Sequence, residues 1–474
     1  MKIVFVSSEA APYAKTGGLA DVASALPKAL AEAGHEVKVF LPLYRTIKER
    51  FPHLALRVAG RPEAFSVWED REASVPVYFI EHDYFFNRGH LYCTAAGDDP
   101  ENGDRFAFFS RSVLEALRAI DFSPEIIHTH DWQTAALFGY KKFVMGDDPF
   151  FRGTKSVFTI HNLAYQGLFD PGVLGRIGLP KRLFRAEDLE FFGRVNFLKA
   201  GILYADAVTT VSPRYAREIQ TPEFGCGLDG LLRARRASIR GILNGVDDSM
   251  WNPADDAMIA APFGPDDLAG KKKCKKALLE AFGFAPSVPE LPVIGMVSRL
   301  VEQKGLDVLV DALDALSLLG IRIIIVGRGD PSIERQLIMA LNRFPQNLGL
   351  RITYDDALAR KVFAGSDFFL IPSRYEPCGL TQMYSQKYGA VPIVRAVGGL
   401  DDTVEEFRPE TGEGTGFKFQ DSDSGALVEA VRRALGAWKN PKWMSMLRRN
   451  GMRRDFSWKR SAGAYLGLYR ELLG

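Results

Sequence analysis

The chain is poor in the residues that staple or anchor a protein. Its four cysteines, Cys93, Cys226, Cys274 and Cys378, are scattered over 474 residues and form no C-x-x-C pair. A chain of this length needs no covalent staples, so they read as free thiols in a reducing compartment. No apolar run approaches the roughly 18–20 residues that span a bilayer. The opening run Lys2-Ile3-Val4-Phe5-Val6 is too short for a signal-peptide core and reads as a first strand. A soluble cytoplasmic protein is expected. Excess charge of either sign is also missing: Lys plus Arg is 60, Asp plus Glu is 58, and the net charge is +2. That balance argues against nucleic acid or a membrane surface as partner, so any anion must be held by local arrangement. There is no internal repeat and no low-complexity tract. The dinucleotide fingerprint G-x-G-x-x-G is absent, which disfavours a dehydrogenase. Its nearest imitation, Gly327-Arg328-Gly329-Asp330-Pro331-Ser332, lacks the third glycine and reads as a strand-to-helix turn.

What is present is the rhythm of an α/β protein. The length predicts two domains, possibly three. Hydrophobic residues are 47% and charged residues 25%, the balance of a globular chain. After the first strand, Lys15-Thr16-Gly17-Gly18 forms a glycine-containing loop. Leu19, Val22, Ala23, Leu26 and Leu30 then mark one face of a helix, and Val37 to Leu41 a second strand. Further short apolar strands are predicted at Val77–Ile80, Ile126–His128, Ser156–Ile160 and Ala207–Val211. Residues 252–292, rich in Pro, Asp, Lys and Gly, break the pattern. It restarts with strands at Pro292–Val297, Ile321–Val326, Leu350–Thr353, Phe368–Ile371 and Val391–Val394. Near-continuous apolar strands alternating with helices indicate parallel sheets buried on both faces. Two doubly wound Rossmann-like domains are expected, joined near Asn244-Gly245-Val246-Asp247. The expected division is 1–243 with the C-terminal helix 456–474, and 244–455.

In such sheets ligands bind outside the carboxyl ends of the strands. Lys15-Thr16-Gly17-Gly18 lies between a strand and a helix start, where backbone N–H groups and a lysine suit an anion; a tight turn with a solvated lysine is the plainer alternative. Arg299 and Lys304 follow the first strand of the second domain. A forked guanidinium and a point charge there suit a diphosphate, against the alternative of two surface cations. Glu376 precedes Pro377 and is therefore held extended, with the N–H groups near Gly379, Leu380 and Thr381 beyond it. Alone, it would read as a helix-start carboxylate. His128, His130 and Asp131 follow one strand, and His161 and Asn162 another. The side chains of His128 and His130, two apart on an extended segment, are expected to diverge, and no third ligand is near, which argues against zinc. His161 is the better candidate for a polar substrate, with a purely structural histidine as the alternative. Asp421-Ser422-Asp423 is a weak metal motif, because Arg299 and Lys304 already balance phosphate charge. Lys271 to Lys276 reads as a solvated helix face, with glycan contact as the weaker alternative.

Taken together, several segments resemble the bacterial glycogen and starch synthase family. They are Lys15-Thr16-Gly17-Gly18-Leu19-Ala20-Asp21-Val22, His130-Asp131-Trp132, His161 to Gly167, Leu243 to Asp247, Ser298-Arg299-Leu300 with Gln303-Lys304-Gly305, Glu376-Pro377-Cys378-Gly379-Leu380-Thr381-Gln382 and Gly398-Gly399-Leu400. They occur in family order across nearly the whole chain. The resemblance implies a glycosyltransferase B fold, two domains facing across a deep cleft, and a last helix returning to the first domain. It implies ADP-glucose as donor, the non-reducing end of glycogen or another α-1,4-glucan as acceptor, and neither metal nor cofactor. Lys15, with Gly17, Gly18 and Asp21 in its motif, resembles the donor-binding loop. Arg299 and Lys304 resemble the diphosphate cations and Thr381 the helix-start phosphate ligand, with Cys378, Gly379 and Leu380 in the same turn. Tyr354 resembles the aromatic packed on the base. Asp131, His161, Asn162, Asn244 and Glu376 resemble the surroundings of the transferred glucose. The wider superfamily carries a second glutamate eight positions after the first; here that position is Tyr384, as is usual in the bacterial branch. Between Asn87 and Arg105 the pattern is carried mainly by Arg88, Tyr92 and Arg105.

The implied reaction develops negative charge on the departing diphosphate, so electrostatic stabilisation should dominate. Double displacement needs a carboxylate nucleophile opposite the leaving group, and none stands out. Front-face attack fits better, with Glu376 orienting glucose and His161 supporting the sugar. The rival readings are the same transfer from UDP-glucose, a retaining enzyme making a small glucoside, and a non-catalytic glycan-binding protein. The last has no need of Arg299 and Lys304.

Overall fold

Short apolar segments become strands here because both of their faces are covered, and this sets the architecture of the computed structural model, which describes residues 1–59, 64–94, 97–285 and 291–474. Residues 286–290 of the proline-rich middle and 95–96 of the Asn87–Arg105 segment lie outside the described residues. The chain divides into two units: residues 1–211, 216–245 and 458–474, and residues 212–215 and 246–457.

The first unit contains β1 (Lys2–Val6), β2 (Glu36–Pro42), β3 (Ala55–Val58), β4 (Ser66–Asp70), β5 (Val77–Glu81), β6 (Cys93–Thr94), β7 (Gly97–Asp98), β8 (Ile126–His130), β9 (Lys155–Ile160), β10 (Leu168–Phe169), β11 (Glu190–Phe191), β12 (Arg194–Asn196), β13 (Ala207–Thr210) and β14 (Ile239–Gly241). The main sheet runs β14-β13-β9-β8-β1-β2-β5-β4-β3. It is parallel from β14 to β5 and antiparallel at the β4 and β3 edge. That antiparallel edge was not foreseen, because its short half-polar strands carry little apolar signal. Ile3 to Val6 are fully buried, each large side chain contributing about 1.5–3 kcal/mol relative to exposure. Helix Gly18–Glu32 buries the predicted stripe of Leu19, Val22, Ala23, Leu26 and Leu30. The last helix, Trp458–Leu473, packs on it, and Tyr469 Oη lies 2.7 Å from His128 Nδ1.

The second unit contains β15 (Val293–Val297), β16 (Arg322–Gly327), β17 (Leu348–Ile352), β18 (Phe368–Ile371), β19 (Val391–Arg395) and β20 (Phe417–Phe419). They form one parallel sheet in the order β17-β16-β15-β18-β19-β20. Helices Leu306–Ser317 and Ser424–Trp438 contribute its buried Leu309, Leu313, Leu427 and Val431.

Two readings of the sequence need correction. His128 and His130 do not diverge: their rings stack with centroids 4.4 Å apart. Residues two apart on a strand share one face. The lysine run is not uniformly solvated either. Lys271 is buried. Its Nζ donates to the carbonyls of Ala364 and Tyr388 at 2.9 and 2.7 Å, at the C-terminal ends of helices Asp356–Gly365 and Thr381–Lys387, where helix dipoles favour a cation. Lys275 pairs with Asp367 at 2.6 Å. Asp423, from the weak metal motif, caps helix Ser424–Trp438 by accepting from Ala426 N.

Candidate active site

Each sheet has one topological switch point, where successive crossovers leave a strand in opposite directions and a crevice opens. In the first unit it lies at β1, flanked by β2 and β8; in the second at β15, flanked by β16 and β18. The loops after β1, β8 and β9 carry Lys15, Asp131 and His161. Those after β15 and β18 carry Arg299, Lys304 and Glu376.

In the first unit Lys15 is exposed and pairs with Asp21 at 2.7 Å. A Cβ added at Gly17 would meet no protein atom within 4 Å, so the space over this loop is open. Gly18 begins the helix. The loop is held from below by Glu9, which sequence reasoning missed although it too follows β1. Its buried carboxylate accepts from Thr16 N and from Thr16 Oγ1 and Tyr92 Oη, the last two at 2.6 Å. Asp99, the other acidic hub, takes Arg88 at 2.6 Å and His90 at 2.9 Å. Despite burial these partners hold its carboxyl down at about 2. Arg105 is fully buried and donates to Asn102 and Phe85 O, a structural position.

Asp131 adopts φ +56°, a conformation costly for a residue with a Cβ and typical of functional sites. Its Oδ1 accepts the backbone N–H of His161 at 2.7 Å. Desolvation raises its pKa to about 7, outweighing the N–H groups of His161 and Asn162, which lower it; the nearby Glu9 charge raises it further. Behind it three imidazoles line up. His161 Nε2 lies 3.0 Å from His130 Nδ1, and His130 stacks on His128. Burial pushes His161 down to about 3 and holds His128 and His130 well below the usual imidazole range, so all three are neutral near pH 7. Asn244 Oδ1 is buried without a hydrogen-bond partner among the described residues, a valence left for a ligand or water.

In the second unit Arg299 is exposed, and its guanidinium makes no hydrogen bond or ion pair with the described residues. Lys304 Nζ donates to Glu376 Oε2 at 2.6 Å, and Ser373 Oγ donates to the same oxygen at 2.9 Å. Glu376 is 6% exposed, a buried acid on the crevice wall and not an ordinary helix-start carboxylate. The two loops are tied again by Arg374 N to Gln303 O at 2.8 Å and Gln303 Nε2 to Tyr375 O at 3.1 Å. The quoted Gly398-Gly399 pair supports this turn. A Cβ at Gly398, which has φ +46°, would stand 1.9 Å from Glu376 O, and one at Gly399 2.0 Å from Cys378 O. Cys378 is buried beneath the turn, Gly379 takes φ +70°, and Leu380 precedes Thr381, the first residue of its helix. Tyr354 is 70% exposed, its hydroxyl donating to Arg328 O at 3.2 Å, so one ring face is open for stacking. Tyr384, where the wider superfamily has its second glutamate, stacks on Trp251 at 3.8 Å, and Arg360 lies 4.2 Å from the same indole. That position serves packing here. Among the described residues no group of three or more His, Cys, Asp or Glu side chains is placed to hold a metal ion, and no helix is long and apolar enough to cross a membrane.

Comparison with known proteins places this geometry in a family. Residues 2–234 match the model of the starch synthase catalytic domain and residues 291–437 that of glycosyl transferases group 1. A glycogen synthase of Anaeromyxobacter sp. (strain Fw109-5) is 48% identical, the match covering 100% of this chain and 99% of the relative. One from Syntrophotalea carbinolica is 43% identical over 99% of each. The solved catalytic domain of starch synthase IV from Arabidopsis thaliana, bound to ADP and acarbose, superposes with a TM-score of 0.87 at 35% identity, covering 100% of this chain and 99% of that one. Sucrose-phosphate synthase from Thermosynechococcus elongatus shares the fold at a TM-score of 0.61 and 20% identity over 100% and 99%. Two units with parallel, doubly wound sheets constitute the glycosyltransferase B fold, and with these relatives over its full length the chain belongs to the glycogen synthase family of glucosyltransferases.

Proposed function

We propose that the chain transfers glucose from ADP-glucose to the non-reducing end of an α-1,4-glucan with retention of configuration. The observation that carries this reading is the second unit's switch point, where Arg299, without a partner among the described residues, stands on the same loop as Lys304, which pairs with Glu376 of the neighbouring loop. A diphosphate leaving group needs such cations, and a glycan-binding module does not. Arg299 grips phosphate oxygens in a fork, Lys304 neutralises departing charge, and the N–H groups at Gly379 to Thr381 add to both. Tyr354 packs on the base. Glu376, its charge balanced by Lys304, accepts from glucose hydroxyls.

In the first unit Lys15, with its Gly17-Gly18 loop and Asp21, serves the donor phosphates. Asp131, Asn162, Asn244 and the neutral His161 serve the sugar. The bond between C1 and the phosphate oxygen breaks with its electron pair going to ADP. The acceptor hydroxyl attacks C1 on the same face and passes its proton to the leaving phosphate. Asp131 in its ionised form stabilises the positive charge that develops on the sugar. All balancing charge comes from side chains and N–H groups, without a metal or cofactor.

The test is glucosyl transfer to a glycogen primer from ADP-glucose and from UDP-glucose, with and without EDTA. The expected result is α-1,4-linked product, faster from ADP-glucose and unaffected by EDTA. Loss of activity with EDTA and its recovery with a divalent metal would overturn the metal-free mechanism. Faster transfer from UDP-glucose would reassign the donor.

A further inference from the structure

Among the described residues of the first unit, Phe192 is the most exposed large aromatic, more so than Tyr84 and Tyr165, and the mechanism above does not use it. Phe192 is 84% exposed. It sits with Gly193 in the two-residue turn between β11 and β12. Both turn residues have positive φ, +48° and +79°, the mirror-image hairpin geometry that favours Asn-Gly. A phenylalanine is strained there, and with its ring in water little burial offsets the strain. The ring is nonetheless held. The Phe191 ring meets it edge-on at 4.7 Å. Gly193 N donates to Glu190 Oε1 at 2.7 Å. A Cβ on Gly227 would come within 3.0 Å of Phe191 Cζ and 3.4 Å of Phe192 Cε2, so that turn underlies both rings.

The hairpin is wired to the loop that carries His161. Gln166, five positions on, accepts from Asn196 Nδ2 at 2.6 Å and donates to Cys226 O at 3.0 Å. Its backbone carbonyl takes Leu198 N, and that of Gly167 takes Phe197 N. One glutamine thus fixes the β12 end of the hairpin and the turn beneath its tip relative to the start of the sugar-binding loop.

We propose that Phe192 is a stacking platform for the acceptor glucan, binding glucose residues beyond the one that reacts. The proposal rests on the acceptor assigned above. A pyranose ring presents an apolar face of C–H groups that covers one aromatic ring, while its rim hydroxyls need donors and acceptors. Glu190 and the exposed Arg194 flank the tip and supply them. One exposed ring is far below the roughly 1,600 Å² that a stable protein interface buries, which favours a sugar over a second protein. A polymeric acceptor adds many such contacts along its length, so a platform away from the reacting bond favours long chains over short ones.

The experiment compares Phe192→Ala and Phe192→Tyr with the parent protein, using glycogen and maltose as acceptors, alongside glycogen affinity electrophoresis and size-exclusion chromatography. Phe192→Ala is expected to raise the KM for glycogen about 5- to 10-fold. Its kcat, its KM for ADP-glucose, its KM for maltose and its melting temperature should be unchanged. Phe192→Tyr should bind glycogen as the parent does. An unchanged glycogen KM in Phe192→Ala overturns the platform while leaving the transfer reaction intact. Self-association of the parent that Phe192→Ala abolishes would overturn it in favour of a contact between copies. A parent protein that glycogen gels do not retard overturns the acceptor assignment itself, and the platform with it.

Discussion

Lys304 Nζ and Glu376 Oε2 lie 2.6 Å apart, although the residues are 72 positions apart in the chain. The pair joins the loop after β15 to the loop after β18 across the switch point of the second sheet. Lys304, proposed above as a cation for phosphate, is therefore also the counter-charge of a buried acid. Lys304→Ala should lose two things at once. Turnover should fall on the order of 100-fold, the cost of one transition-state donor. The melting temperature should fall as well, because Glu376 is left buried without its partner. Lys304→Ala with Glu376→Gln should melt closer to the parent than Lys304→Ala alone. Thermal melts and initial rates on the parent and the two variants check this; Lys304→Ala with normal melting and normal turnover would refute both roles.

Arg299 provides the contrast. Its guanidinium has no partner among the described residues, so Arg299→Ala should melt like the parent. Its turnover should nevertheless drop on the order of 100-fold, and ADP should bind more weakly by calorimetry. Parent-like ADP affinity would make Arg299 an ordinary surface charge.

Asp131 should place an ionisation in the rate profile. Its pKa is raised from 3.8 to about 7 by desolvation, so it is largely protonated at pH 6 and largely ionised at pH 8. If the carboxylate stabilises the sugar cation, kcat/KM should rise through an apparent pKa near 7. Asp131→Asn should have lower activity and lack that limb. For stability the sign is opposite: a raised carboxyl pKa favours the folded state at low pH and loses that contribution as pH rises toward 7. An identical limb in Asp131→Asn would assign the ionisation to another group.

The histidine stack should make the fold sensitive to acid. Burial lowers the pKa of His161 from 6.5 to about 3 and holds His128 and His130 down with it. A histidine whose folded pKa is depressed stabilises the protein above pH 6.5 and loses that contribution as pH falls toward the folded value. Each such proton is worth about 1.4 kcal/mol per pH unit. Melting temperature should therefore fall between pH 6.5 and 4, and His161→Gln should flatten that slope. An equal slope in the variant would exclude His161 from the acid response.

The succession of apolar parallel strands, the break in the middle of the chain and the candidate loops that follow the strands were legible in one dimension; the antiparallel β4 and β3 edge was not. Buried parallel strands must be apolar along their whole length, and crevice residues must directly follow them. Arg299, Glu376, Asp131 and His161 could be picked out as candidates on that ground alone. Local pattern does not determine which groups meet. The Lys304–Glu376 pair, the Glu9 cradle under Thr16 and the support of the Glu376 turn by Gly398 all depend on distant segments being brought together by the sheets. The lysine run shows the same limit: its spacing reads as a solvated face until the carbonyl ends of two other helices close over Lys271. The His128–His130 stack was misread for a simpler reason, a strand's period of two applied in the wrong sense. Its protonation, like that of Asp131, depends on the dielectric that packing creates around each group. Residue type sets which proton a side chain can carry; the tertiary surroundings decide whether it carries it at pH 7.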